Sequence, residues 1–187
     1  MNKFGKFLVA LILASGLLSQ AALAAQRSSA GGSVSRISTG QSTAAPVGFL
    51  IFCVKYPSYC RGGGASQVVM TDQLMTLLSS VNRTVNRLIR ARNERRDTWE
   101  INVRVGDCED FVLAKRAKLI AAGVPASALR IATARTRSGV GHAVLVVRTS
   151  SGDLVLDNLS SRIREWNRTG LVWIAMSGAN PRRWSTI

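Results

Sequence analysis

"GHAVLVVRTSSGDLVLDNL", residues 141–159, holds two runs of apolar and β-branched residues around the turn signal "SSGD" at 150–153. Runs of this length, bounded by Ser, Gly and Asp, read as two strands of an antiparallel hairpin. Upstream "LRIATART" (129–136) carries the same β pattern, and downstream "LVWIAMSG" (171–178) adds a further strand. Nearer the N-terminus the period changes. Leu74, Leu77, Leu78, Val81, Val85, Leu88 and Ile89 recur at helical spacing behind a cap at Thr71 or Asp72, with Asn82 and Asn86 as a polar edge of that face. A second helix opens at "GDCEDF" (106–111). Asp107 is its N-cap, Asp110 takes the capping-box position, and Phe111, Val112, Lys115, Leu119 and Ile120 carry the body to Gly123 and Pro125. Helices first and an antiparallel sheet after them make an α+β domain.

The chain begins with the basic Met1–Lys6, an apolar run from Phe7 to Leu18, and the small-x-small pattern Ala22-Leu23-Ala24. That order reads as a secretory signal peptide over residues 1–24, so the mature protein belongs in an oxidising compartment. Residues 25–46, rich in Ser, Gly, Ala, Gln and Thr, read as a flexible leader, which starts the folded domain at residue 47. The remaining length suits one domain. No later segment is apolar enough to span a bilayer.

The formal charge of +15, from 25 basic and 10 acidic residues, suggests an anionic partner or surface. Export argues against nucleic acid, and so does the densest basic group: Arg87, Arg90, Arg92, Arg95 and Arg96 have no aromatic residues interleaved for stacking. Of three cysteines, Cys53 and Cys60 enclose the short loop of "FCVKYPSYC" and read as a disulfide, leaving Cys108 unpaired.

Cys108 is the residue to explain, because Asp107, Glu109 and Asp110 surround it with charge that opposes a thiolate. Its place at a helix start works the other way, since the helix dipole favours negative charge there. His142 is the sole histidine of the chain and begins one β run; Asp157 lies on the next. In order the sequence offers nucleophile, base and orienting carboxylate. A two-residue turn at Ser150-Ser151 sets Asp157 diagonal to His142 on one face, whereas a three-residue turn with a bulge at Gly152 sets them on opposite faces.

"GDCEDFVLAKRAKLI", "GHAVLVVRT" and "LVLDNL", with the upstream "FCVKYPSYC", resemble the bacterial transglutaminase-like cysteine proteinases, a family with periplasmic LapG-type members. The resemblance implies a papain-like transglutaminase core over residues 47–187, with Cys108 as nucleophile, His142 as base and Asp157 as third member. It implies a periplasmic endopeptidase acting on an exported or cell-surface protein such as an adhesin, under an inner-membrane regulatory partner. It also implies Ca²⁺, held by Asp107, Glu109 and Asp110, which would offset the acids beside the thiol. One departure stands in "TWEINVRVGDCED", where Asn102 and Val103 replace a proline frequent in the family. Two other readings of the chain are amide transfer through the same triad and a non-catalytic basic module that binds the envelope.

Overall fold

The computed structural model describes residues 34–92 and 97–187. The expected signal peptide, the first part of the expected leader, and Arg95 and Arg96 lie outside the described residues. In chain order the elements are β1 (Ser42–Thr43), α1 (Val47–Lys55), α2 (Asp72–Leu88), β2 (Arg90–Ala91), β3 (Val105–Gly106), α3 (Cys108–Ala121) and β4 (Leu129–Arg135). There follow β5 (Gly141–Thr149), β6 (Gly152–Leu156), β7 (Arg164–Glu165), β8 (Val172–Ser177) and β9 (Trp184–Thr186). One seven-stranded sheet runs β1-β9-β8-β4-β5-β6-β7, every neighbouring pair antiparallel, and α3 packs across β5. The α+β class is therefore as expected. Among the described residues no helix is long and apolar enough to cross a membrane.

Strand β5 explains the unbroken apolar run "AVLVV". Its Ala143, Leu145 and Val147 join the helical core around Phe49, Leu78, Val85 and Leu119, while Val144 and Val146 face a second layer with Ile37, Val155 and Met176. Both faces of the strand are dry, so neither can be polar.

The second layer corrects the expected leader. Its composition lacks large apolar side chains apart from Val34 and Ile37, yet the chain is already fixed well before residue 47. Ile37 is 3% exposed. Its N–H donates to Asp153 Oδ2 at 2.8 Å, the Asp153 N–H donates to the Ser35 carbonyl at 3.0 Å, and Arg148 bridges the Ile37 carbonyl and Asp153. A single well-placed isoleucine, whose burial is worth about 2 kcal/mol, outweighs the flexible composition of its surroundings. Gly152 is needed for this closure: at φ 125° it turns β5 into β6, and a Cβ there would meet the Ser35 carbonyl oxygen at 2.7 Å.

Two anchors fix α3. The Cys53–Cys60 disulfide ties α1 to the turn that follows it. Arg116, 2% exposed, then donates to the carbonyls of Tyr59, Arg61, Ala126 and Leu129, binding that turn to both the helix and the start of β4. Trp99 belongs to the same core, its ring edge-on to Phe49 with centroids 5.2 Å apart.

Candidate active site

The hairpin register decides which side chains meet. Thr149 pairs with Gly152 and Leu145 with Leu156, so the turn contains only Ser150 and Ser151. Asp157 follows the last pair and reaches diagonally to the start of β5, where His142 Nε2 stands 2.8 Å from Asp157 Oδ1. The pair is shielded, with 5% of the His142 side chain and 15% of the Asp157 side chain exposed. With Nε2 held by the carboxylate, Nδ1 is the ring nitrogen left for proton exchange.

Asp157 is itself held from three sides. The Leu159 N–H donates to Oδ1 at 2.9 Å, and Asn86 of α2 donates to the Asp157 carbonyl at 2.9 Å. One turn away, Asn82 donates to the Ser160 carbonyl at 3.0 Å. The two asparagines expected as a polar edge thus clamp the loop that carries Asp157, and their i, i+4 spacing on an apolar face was the visible signal. Burial alone pushes the Asp157 carboxyl up. The His142 hydrogen bond, the Leu159 N–H and the charges of His142 and Lys115 outweigh that push and hold it below the usual carboxylate range.

Cys108 begins α3, half-buried, with its sulfur against the backbone N–H of Ala143, the residue after His142. Helix, thiol and histidine therefore share one corner of the sheet. The thiol also donates to Glu109 Oε2 at 2.9 Å. Burial first, and Glu109's charge and hydrogen bond next, raise the Cys108 thiol far above the ordinary thiol range, with the Ala143 N–H opposing and Asp107 adding to the rise. In this arrangement the sulfur is a protonated thiol.

The three acids do different work. Asp107 and Asp110 form the capping box of α3. Asp110, 2% exposed, also accepts the Glu100 N–H at 2.8 Å and the Asp107 N–H at 3.3 Å. Its carboxylate accepts backbone N–H groups, so of the expected ligand set Asp107, Glu109 and Asp110 it is the member already engaged in the fold. Among the described residues no three His, Cys, Asp or Glu side chains group as metal ligands. Asp107 and Glu109 keep the hard oxygen chemistry calcium takes.

In the sequence Lys115 stands out only as part of the helix body. It lies two turns after Cys108, fully buried, with no hydrogen-bond partner for Nζ and the ammonium 5.8 Å from the Phe111 ring centroid. Burial pushes it down to about 7, against the attraction of Asp157.

A shielded His-Asp pair beside a helix-start cysteine, on an antiparallel sheet backed by helices, is the make-up of a thiol hydrolase. The chain belongs to the bacterial transglutaminase-like cysteine proteinases, whose family model matches residues 39–187. Calcium-bound LapG from Legionella pneumophila is similar in fold, with a TM-score of 0.52 and 30% identity over 57% of this chain and 66% of that one. A second Legionella pneumophila LapG structure gives 0.51 and 30% over 57% and 64%, and an EGTA-treated form 0.53 and 28% over 61% and 68%. In the first two the match spans slightly less than two thirds of the LapG chain. Comparison with curated proteins finds no match.

Proposed function

We propose that this chain is a periplasmic cysteine endopeptidase that cleaves an exported or cell-surface protein, with Cys108, His142 and Asp157 as its triad. The observation that carries the reading is the His142–Asp157 contact at 2.8 Å on the strand that α3, begun by Cys108, packs across. His142 Nδ1 takes the Cys108 proton as the sulfur attacks the scissile carbonyl. It then returns that proton to the departing amine, leaving an acyl-enzyme. Water, deprotonated by His142, attacks the thioester carbonyl and releases the acid product and Cys108 thiolate, which recovers the proton. Asp157 keeps the ring oriented and stabilises its protonated form throughout.

Glu109 must leave the thiol before His142 can take its proton. Calcium supports that change: two of the similar LapG structures are described as calcium-bound and EGTA-treated. In this chain Asp107 and Glu109, with Asp110 beside them, would hold the ion, and backbone or water oxygens would complete its shell. Bound there, calcium supplies positive charge that offsets the carboxylates opposing the thiolate. Regulation by an inner-membrane partner and an adhesin substrate remain part of the same reading.

The test compares new protein N-termini in the cell envelope of wild type and a Cys108→Ala strain. The proposal expects a small set of fragments present only in wild type, reproduced by purified enzyme with calcium and abolished by chelator. Identical fragment sets, together with no cleavage by purified protein, would contradict it.

A further inference from the structure

A cavity of about 300 Å³ opens beside Asp157. Its wall draws on separate segments: Thr136 and Arg137 after β4, Arg162 and Arg164 at and before β7, and Gly170 with Leu171 ahead of β8. Three exposed arginines thus line one small space. Arg137 is fitted there against Gly170, where a Cβ would meet its Nε at 2.7 Å. None of the three makes an ion pair or a side-chain hydrogen bond among the described residues. Glu165, the acid next to Arg164, is turned to Arg168 instead, 3.5 Å away. Asp157 gives Oδ1 to His142 and the Leu159 N–H.

Asp157 is the one carboxylate of this wall and is committed to His142, so the three arginines leave the cavity net positive, and the arrangement is relieved when an anion enters. The place of the cavity suggests which anion. It shares Asp157 with the site above, and the turn that supplies Arg137 leads through Gly139 into His142. For a peptidase, an anion held beside the His142–Asp157 pair is one carried on a side chain of its polypeptide substrate. The volume, at the small end of ligand pockets, suits one such side chain.

We propose that Arg137, Arg162 and Arg164 form a subsite for an aspartate or glutamate side chain of the polypeptide substrate, close to the bond that is cut. The occupant rests on the peptidase reading; the carboxylate site does not. Arginine suits the role because its planar fork meets a carboxylate through two parallel hydrogen bonds. An acidic substrate segment also fits a chain with 25 basic and 10 acidic residues.

Two arms separate the claims. Calorimetry titrates the full protein with acetyl-tetraglutamate amide and with the tetraglutamine peptide of the same length. The glutamate peptide binds at least roughly tenfold tighter, and Arg162→Gln with Arg164→Gln removes that difference. Raising salt to about 0.5 M shrinks it, as for any partly exposed charge contact. A control pair, Arg87→Gln with Arg90→Gln, exposed on α2 and β2, leaves it intact. Equal binding of the two peptides, equal loss in the control pair, or displacement by inorganic phosphate at matching concentration overturns the subsite. In the second arm a mixed peptide library is digested with calcium present. Acid enrichment within about three residues of the cut, lost in the Arg162/Arg164 variant, supports the assignment. Cleavage without enrichment overturns it and leaves the peptidase intact; glutamate binding without any cleavage keeps the carboxylate site and removes the peptidase.

Discussion

Replacing Lys115 by methionine tests the electrostatics of the site in one step. The folded ammonium titrates near 7 and an unfolded lysine near 10.5, with burial as the cause and Asp157 opposing it. Below about pH 7 both states carry the proton and the folded state bears the full burial cost; above about 10.5 neither does and the cost is gone. Between those values the unfolded chain holds one more proton, so stability rises with pH at about 1.4 kcal/mol per unit. Across the window this comes to on the order of 5 kcal/mol. Urea unfolding at pH 7 and 8.5 should therefore show the wild type gaining about 2 kcal/mol, while Lys115→Met stays level and exceeds the wild type at pH 7. The upper limit is chosen because Cys108 works in the opposite sense. Its folded thiol keeps the proton above the ordinary value of 9.0, where the unfolded thiol loses it, so stability falls there as pH rises. Parallel pH profiles for wild type and Lys115→Met would refute the reasoning.

Asp110→Ala removes the acceptor of two backbone N–H groups and should cost about 3–5 kcal/mol in urea unfolding, with or without calcium. Glu109→Gln should leave stability nearly unchanged, weaken calcium in calorimetry, and speed iodoacetamide labelling of Cys108 in chelator-treated protein, because the charge opposing the thiolate is gone. If Asp110 and Glu109 variants behave alike, the separate roles given to the acids are wrong. Ile37→Ala should cost about 2–4 kcal/mol while Cys108 labelling keeps its rate, since that residue packs on the far face of the sheet.

The architecture was legible where periodicity is strong. "LVLDNL" and "GHAVLVVRT" alternate or run apolar over strand lengths, and Asp107 with Asp110 announces the start of α3 three residues ahead of its body. Cys108, His142 and Asp157 could be named because each stands out by type within such an element. The meeting of His142 and Asp157 could not be read, since a one-residue change in the turn at Ser150-Ser151 sends Asp157 to the other face. The clamp from Asn82 and Asn86, the burial of Lys115 and the docking of Ile37 all depend on contacts between residues distant in sequence. The acids show the same limit: four adjacent residues, 107–110, carry three carboxylates whose roles differ only through what the fold sets opposite each.

The rate at which an epoxide thiol-protease inhibitor labels Cys108, followed by intact mass with calcium present, tests the triad most directly. The account predicts a single adduct on Cys108, a rate lower by at least about 100-fold in His142→Ala, and an intermediate rate in Asp157→Asn. An unchanged rate in His142→Ala would show that the histidine does not activate the thiol, and would contradict the account.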